Sequence, residues 1–191
     1  MRANDARVEE VHLLPIGVLP HPLAGEIAAG LSRRLAAGCR VLESASGPPP
    51  GPLPGRDQVD ADALLAALEA RPTAEYAILV GLTSLDIALP IFTFVFGRAR
   101  QGARAALVSL ARLDPAFYGL PADPGLLVRR TIDEIVHELG HAAGLPHCRD
   151  ASCLMSFAGS VEKVDVRGSA FCDRCGDRLP GWLRLRWGGG T

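Results

Sequence analysis

The sequence predicts an α/β or α+β fold built on a mixed sheet, and two features carry that expectation. Short apolar runs alternate with stretches of helical spacing through the first two-thirds of the chain. A longer helical stretch then ends in a group of histidines, after which cysteines concentrate. With 191 residues, the chain suits one domain with a sizeable core. Within it, residues 1–144 are expected to form an N-terminal part carrying the long helix, and residues 145–191 a small C-terminal part.

The elements follow in order. Residues 12–19 are a short apolar run, read as the first strand. Residues 22–37 space Leu, Ile and Ala as a helix does, with Arg33 and Arg34 near the C-terminal end, where cations favour the helix dipole. Residues 39–43 are read as a second strand. The prolines of residues 47–55 (GPPPGPLPG) bar helix and central strand, so this stretch is an exposed loop. Asp60 or Asp62 caps a helix running to about Ala70. Residues 76–82, 91–96 and 105–110 read as three further strands. Phe92, Phe94 and Phe96 alternate with Thr93 and Val95, which places the rings on one face, as core packing. Asp123 caps a long helix that reaches about Ala143.

Composition narrows the function classes. A net charge of −1 gives no strong attraction to nucleic acid or to an anionic membrane. Residues 76–96 are apolar enough to raise the question of a membrane span. Asp86, Pro90 and the Ser and Thr residues interrupt them, so they read as two strands and a connection. The opening MRANDARVEEVHLLPIG has charges where a signal peptide needs an apolar stretch, so a cytoplasmic location is expected. Five cysteines in that setting point to metal or redox use rather than structural disulfides. Cys39 is read as a buried small residue.

The chemistry concentrates in residues 137–148, which have the form HExxHxxGxxH followed by Cys. On a helix, His137 and His141 lie one turn apart on the same face and can reach one metal ion. Glu138 sits beside them as a general base for a metal-bound water. His147 would lie about 9 Å further along a continued helix, too far to share a zinc with bonds of about 2 Å. The chain must therefore turn back. Gly144 permits the left-handed conformation that ends helices, and Pro146 blocks continuation. Three neutral imidazoles facing one point with no metal would leave buried nitrogens short of partners.

A second group follows at once. Cys148, Cys153, Cys172 and Cys175 form two close pairs, which suits a closed tetrahedral structural zinc. A redox-active CxxC or two disulfides are the other readings of the same residues. A structural zinc here would crosslink the segment after the helix to the C-terminal tail. Because Cys148 adjoins His147, it would also hold the third histidine in place.

Met155, eight residues after His147, completes a recognisable pattern. HExxHxxGxxH followed by a methionine resembles the metzincin clan of zinc peptidases. The cysteine after the third histidine, the C-x4-C-x-M run and the later CxxC resemble the archaemetzincin family in particular. Gly81-Leu82-Thr83 with Asp86, Phe94-Val95-Phe96-Gly97 and residues 109–113 are also similar to that family. The resemblance implies a mixed twisted sheet with an antiparallel edge strand over the cleft, a backing helix, an active-site helix and a small zinc-stabilised C-terminal part. It places Met155 in a turn beneath the metal. By order, it makes residues 91–96 the edge strand, with Thr93, Phe94 and Val95 contacting an extended peptide. It also implies two zinc ions, one catalytic and one on the four cysteines, and hydrolysis of small peptides or amide derivatives.

The expected reaction is zinc-dependent hydrolysis of peptide bonds, with Glu138 as general base. Two rivals stand beside it: a zinc amidohydrolase acting on non-peptide or modified amino-acid substrates, and a catalytically silent binding module. The tyrosine that some metzincins add after the methionine has no counterpart, since Tyr76 and Tyr118 both precede the motif.

Overall fold

The structure is a computed structural model that describes residues 8–20, 22–45 and 50–185. The chain runs β1 (Glu10–Ile16), α1 (Leu23–Arg34), β2 (Gly38–Val41), β3 (Val59–Asp60) and α2 (Ala61–Glu69). It continues through β4 (Ala77–Thr83), β5 (Ile87–Ala88), β6 (Gly97–Ala99) and β7 (Ala105–Ser109). The long helix α3 (Pro124–Ala142) follows, and α4 (Val161–Val166) and α5 (Asp173–Gly176) complete it.

The main sheet has the order β2-β1-β4-β7-β6. Its first four strands are parallel, and β6 joins β7 antiparallel with Arg98 opposite Leu107. Every residue of β4 and β7 is buried, as strands covered on both faces require. Successive residues feed opposite faces. Leu13 packs with Ile27 and Leu31 of α1 and Ile135 and Leu139 of α3, whereas Leu14 packs with Leu64, Leu65 and Leu68 of α2. The fold class read from the sequence is therefore the one observed, a mixed sheet between helices. Among the described residues, no helix is long and apolar enough to cross a membrane.

Three expectations need correction. Residues 91–96 are not a strand, and the antiparallel edge strand is β6, which begins at Gly97. Two backbone carbonyls in that stretch are held by side chains instead: Arg56 donates to Phe92 O (2.7 Å) and Gln58 to Thr93 O (2.9 Å). These ties replace ladder bonds and keep the segment irregular after Pro90. The three phenylalanines also part company. Phe94 and Phe96 meet edge to face at 5.1 Å, while Phe92 is 42% exposed. Cys39 is half-buried rather than buried, on the outer strand β2. The proline loop lies partly outside the described residues, and its Leu53 is buried.

Residues 145–185 contain little regular structure and are fastened to α3. Leu154, Val164, Leu179 and Leu183 join the apolar cluster that contains Ile135 and Leu139. Polar ties reinforce this. Arg130 grips both carboxylate oxygens of Asp165 (2.7 and 2.5 Å), and Arg167 donates to Glu134 (2.5 Å). Asp133 accepts from Arg34 (2.5 Å) and from Ser169 (3.1 Å).

Candidate active site

Helix α3 carries the first two histidines. Its start is fixed by Asp123, whose carboxylate accepts the Leu126 N–H (2.9 Å), and by Pro124 in the first turn. The end is a Schellman turn: Leu145 N–H reaches Gly140 O (2.9 Å) and Gly144 N–H reaches His141 O (2.8 Å). Gly144 sits at φ +91°, a conformation side-chain-bearing residues rarely adopt. The reversal brings His147 back beside the helix. It also aims the Leu145 carbonyl at His141 Nδ1, 2.8 Å away.

His137 Nδ1 likewise donates to a carbonyl, that of Leu154 (2.8 Å). Both rings therefore carry their proton on Nδ1 and present a bare lone pair on Nε2. Those lone pairs face each other: His141 Nε2 lies 3.1 Å from His137 Nε2 and 3.2 Å from His147 Nε2. With both Nε2 atoms of His137 and His141 unprotonated, no hydrogen bond can join them, so the arrangement calls for a cation. Tetrahedral zinc with bonds of about 2.05 Å would space its nitrogen ligands by roughly 3.3 Å. The residues present fit that ion.

Glu138 lies in the same floor and is 4% exposed. Burial raises its pKa well above the usual carboxylate range, the charge of Glu134 adds to this, and Arg167 and Arg98 oppose it. Gly97 of the edge strand crosses directly over it. A Cβ there would fall 2.6 Å from Glu138 Cγ and 2.7 Å from Oε1. Because β6 is tied to β7, Glu138 would have to yield, and a displacement of about 1 Å can cost roughly 10²-fold in rate. Gly97→Ala is thus expected to lower kcat about a hundredfold with zinc content unchanged, measured by steady-state kinetics on metal-quantified protein. Wild-type kcat in this variant would contradict the placement of Glu138.

Met155 is fully buried and meets α3 at Gly140, where an added Cβ would overlap its sulfur. Its carbonyl accepts the Cys148 N–H (2.8 Å), so the methionine turn and the start of the cysteine group are one hydrogen-bonded unit. The four thiols of Cys148, Cys153, Cys172 and Cys175 gather with their sulfurs within 4.8 Å of one another. Cys148 and Cys172 are 3.8 Å apart, the separation expected of two ligands on a zinc with bonds of about 2.3 Å. Backbone N–H groups of Met155 and Cys172 point at Cys153 Sγ (3.4 Å each), and the Arg174 guanidinium at Cys148 Sγ (3.3 Å). The Asp150 N–H, with help from Arg174, holds the Cys148 thiol down to about 6, ready to act as a thiolate.

Burial depresses the pKa of all three histidines, and for His147, with His141 beside it, to about 4. The ordinary value is 6.5, so between about 6.5 and about 4 the unfolded chain binds more protons than the folded one. The stability contributed is present above 6.5 and lost as pH falls through about 4. Glu138, pushed up, acts with the opposite sign over the same interval, so the histidine contribution is read as a difference: chelator-treated wild type is expected to lose more melting temperature between pH 7 and 4 than His147→Asn. An identical pH dependence of the two proteins would contradict this.

A cleft of about 440 Å³ runs from this floor to the sheet edge. Its walls include β6, Phe157 and residues 92–96, so Thr93, Phe94 and Val95 do border it, though not as a strand. Two residues the sequence reading missed also line it. Glu134 and Arg167 form a buried ion pair behind His137 (2.5 Å), in which Arg167 Nε has no hydrogen-bond partner among the described residues. The available signal was Glu134 itself, an acid one turn before Glu138 on the buried face, which demands a cation from elsewhere in the chain.

The model of peptidase family M54 matches residues 57–180. An archaemetzincin of Methanocaldococcus jannaschii is 43% identical over 112 residues, covering 59% of this chain and 62% of that protein. The match thus spans less than two-thirds of that relative's length. Among solved structures, a zinc-dependent peptidase from Methanocorpusculum labreanum superposes with a TM-score of 0.75 at 28% identity, over 89% of this chain and all of that one (100%). An archaemetzincin from Archaeoglobus fulgidus complexed with malonate gives 0.76 at 29% identity, over 89% and 99%.

Proposed function

Since the chain belongs to peptidase family M54, we propose that it is a zinc-dependent metallopeptidase that hydrolyses peptide bonds, chiefly of small peptides. One observation carries this reading: three imidazole Nε2 atoms converge beside a buried carboxylate in the floor of a cleft bordered by a sheet edge. His137, His141 and His147 hold the catalytic zinc. Bound there, the ion lowers the pKa of a water from 15.7 towards about 7 and polarises the substrate carbonyl.

The chain's own residues do the rest. Leu154 and Leu145 carbonyls fix the tautomers of His137 and His141, so both keep Nε2 free as a ligand. Glu138 takes the proton of the attacking water as the C–O bond forms, then delivers it to the amine nitrogen as the C–N bond breaks. The free edge of β6 receives the peptide backbone, and Thr93, Phe94 and Val95 extend that wall. Cys148, Cys153, Cys172 and Cys175 hold a second, structural zinc that fixes His147 through its neighbour.

A mixed peptide library read by mass spectrometry tests the function. Cleavage is expected from the full chain, to vanish after chelation and to return with added zinc. Cleavage indifferent to chelation would overturn the metal role. Hydrolysis confined to amide derivatives would replace the peptidase with an amidohydrolase.

A further inference from the structure

A second cleft, of about 260 Å³, also borders His147. Pro146, His147, Cys148, Cys175 and three arginines, Arg149, Arg174 and Arg178, line it, and among the described residues no carboxylate does. His147 borders both cavities, so the second lies against the third histidine of the HExxHxxGxxH segment. Arg174 is committed to Cys148 Sγ. Arg149 and Arg178 are exposed and make no ion pair among the described residues. Their acidic chain neighbours are not in the lining, and Asp150 is engaged with the Ser152 N–H and hydroxyl.

Charge neutralisation of the thiolates accounts for Arg174, which touches one. It does not account for two further guanidinium groups turned to the same solvent-open space. Guanidinium presents a planar fork that matches a carboxylate.

We propose that this arginine cleft is a subsite for a carboxylate of the peptide substrate, held by Arg149 and Arg178. The proposal rests on the peptidase reading for what occupies the neighbouring cleft. Two sources carry that group: an acidic side chain near the scissile bond, or the free C-terminus of a short peptide. The same site disfavours peptides whose corresponding group is neutral.

The test uses the full, zinc-loaded chain and a set of Ala-Leu hexapeptides carrying Glu at each position in turn. Each has its Gln counterpart, and each comes with a free or an amidated C-terminus. Two quantities are read: kcat/KM for wild type, and binding to Glu138→Ala protein by calorimetry. One charged form is expected to be bound and cleaved about tenfold better than its neutral twin. The gap should close in Arg149→Gln/Arg178→Gln and shrink as salt rises from 50 to 500 mM. A gap between Glu and Gln peptides assigns the side chain, and one between free and amidated peptides assigns the terminus. Equal binding of every pair overturns the subsite, even where peptides are cleaved. Preferential binding without cleavage by wild type keeps the subsite and removes the peptidase reading.

Discussion

Glu138→Gln is expected to cut kcat by about 10²–10⁴-fold while fold and zinc content stay those of wild type. The substitution changes little except the ability to hold a proton. Glutamine has nearly the same shape, which matters because Gly97 leaves no slack above this side chain. The histidines keep their tautomers through Leu154 and Leu145. The Glu134–Arg167 pair behind them also remains intact. Turnover is thus lost with the base alone. Zinc measured by atomic absorption beside steady-state rates checks this, and wild-type turnover at full zinc occupancy would remove Glu138 from the mechanism.

Cys172→Ser is expected to have the largest effect on stability. Residues 145–185 offer only helices of six residues or fewer, and Cys172 stands at the N-terminus of α5 with its N–H on Cys153 Sγ. Four thiolates on zinc would replace the hydrogen-bonded framework this region lacks, and loss of a structural metal ranks among the few single changes costing on the order of 4–5 kcal/mol. For a chain of this length, that is a fall in melting temperature of about 10–20 °C. Packing of Ile135 and Leu139 of α3 with α1 and the main sheet should keep the first part folded. Limited proteolysis is therefore expected to nick residues 145–185 first. A variant as heat-stable and protease-resistant as wild type would show that the cysteines hold nothing structural.

The sequence made α3 legible because its signals are local. Asp123 and Pro124 mark the start, apolar spacing marks the buried face, and Gly144 with Pro146 marks the reversal. The cysteine pairs were legible for the same reason. What escaped depends on distant partners. Arg167 gains its meaning only when the turn after α4 folds onto Glu134, 33 positions away in the chain. The edge strand was displaced because alternation at Phe92, Phe94 and Phe96 mimics a strand. Arg56 and Gln58 claim the carbonyls of Phe92 and Thr93, and bonding to β7 begins only at the Phe96 carbonyl, which accepts the Ser109 N–H. The two-residue strands β3 and β5 carry too little pattern to be read at all.

His147 and Cys148, adjacent in the chain, are proposed to belong to two different zinc sites. Native mass spectrometry of the full chain counts the ions directly. Two zincs are expected on wild type and one on His141→Ala, the remaining ion resting on the four cysteines. A single zinc on wild type, or two retained by His141→Ala, would contradict it.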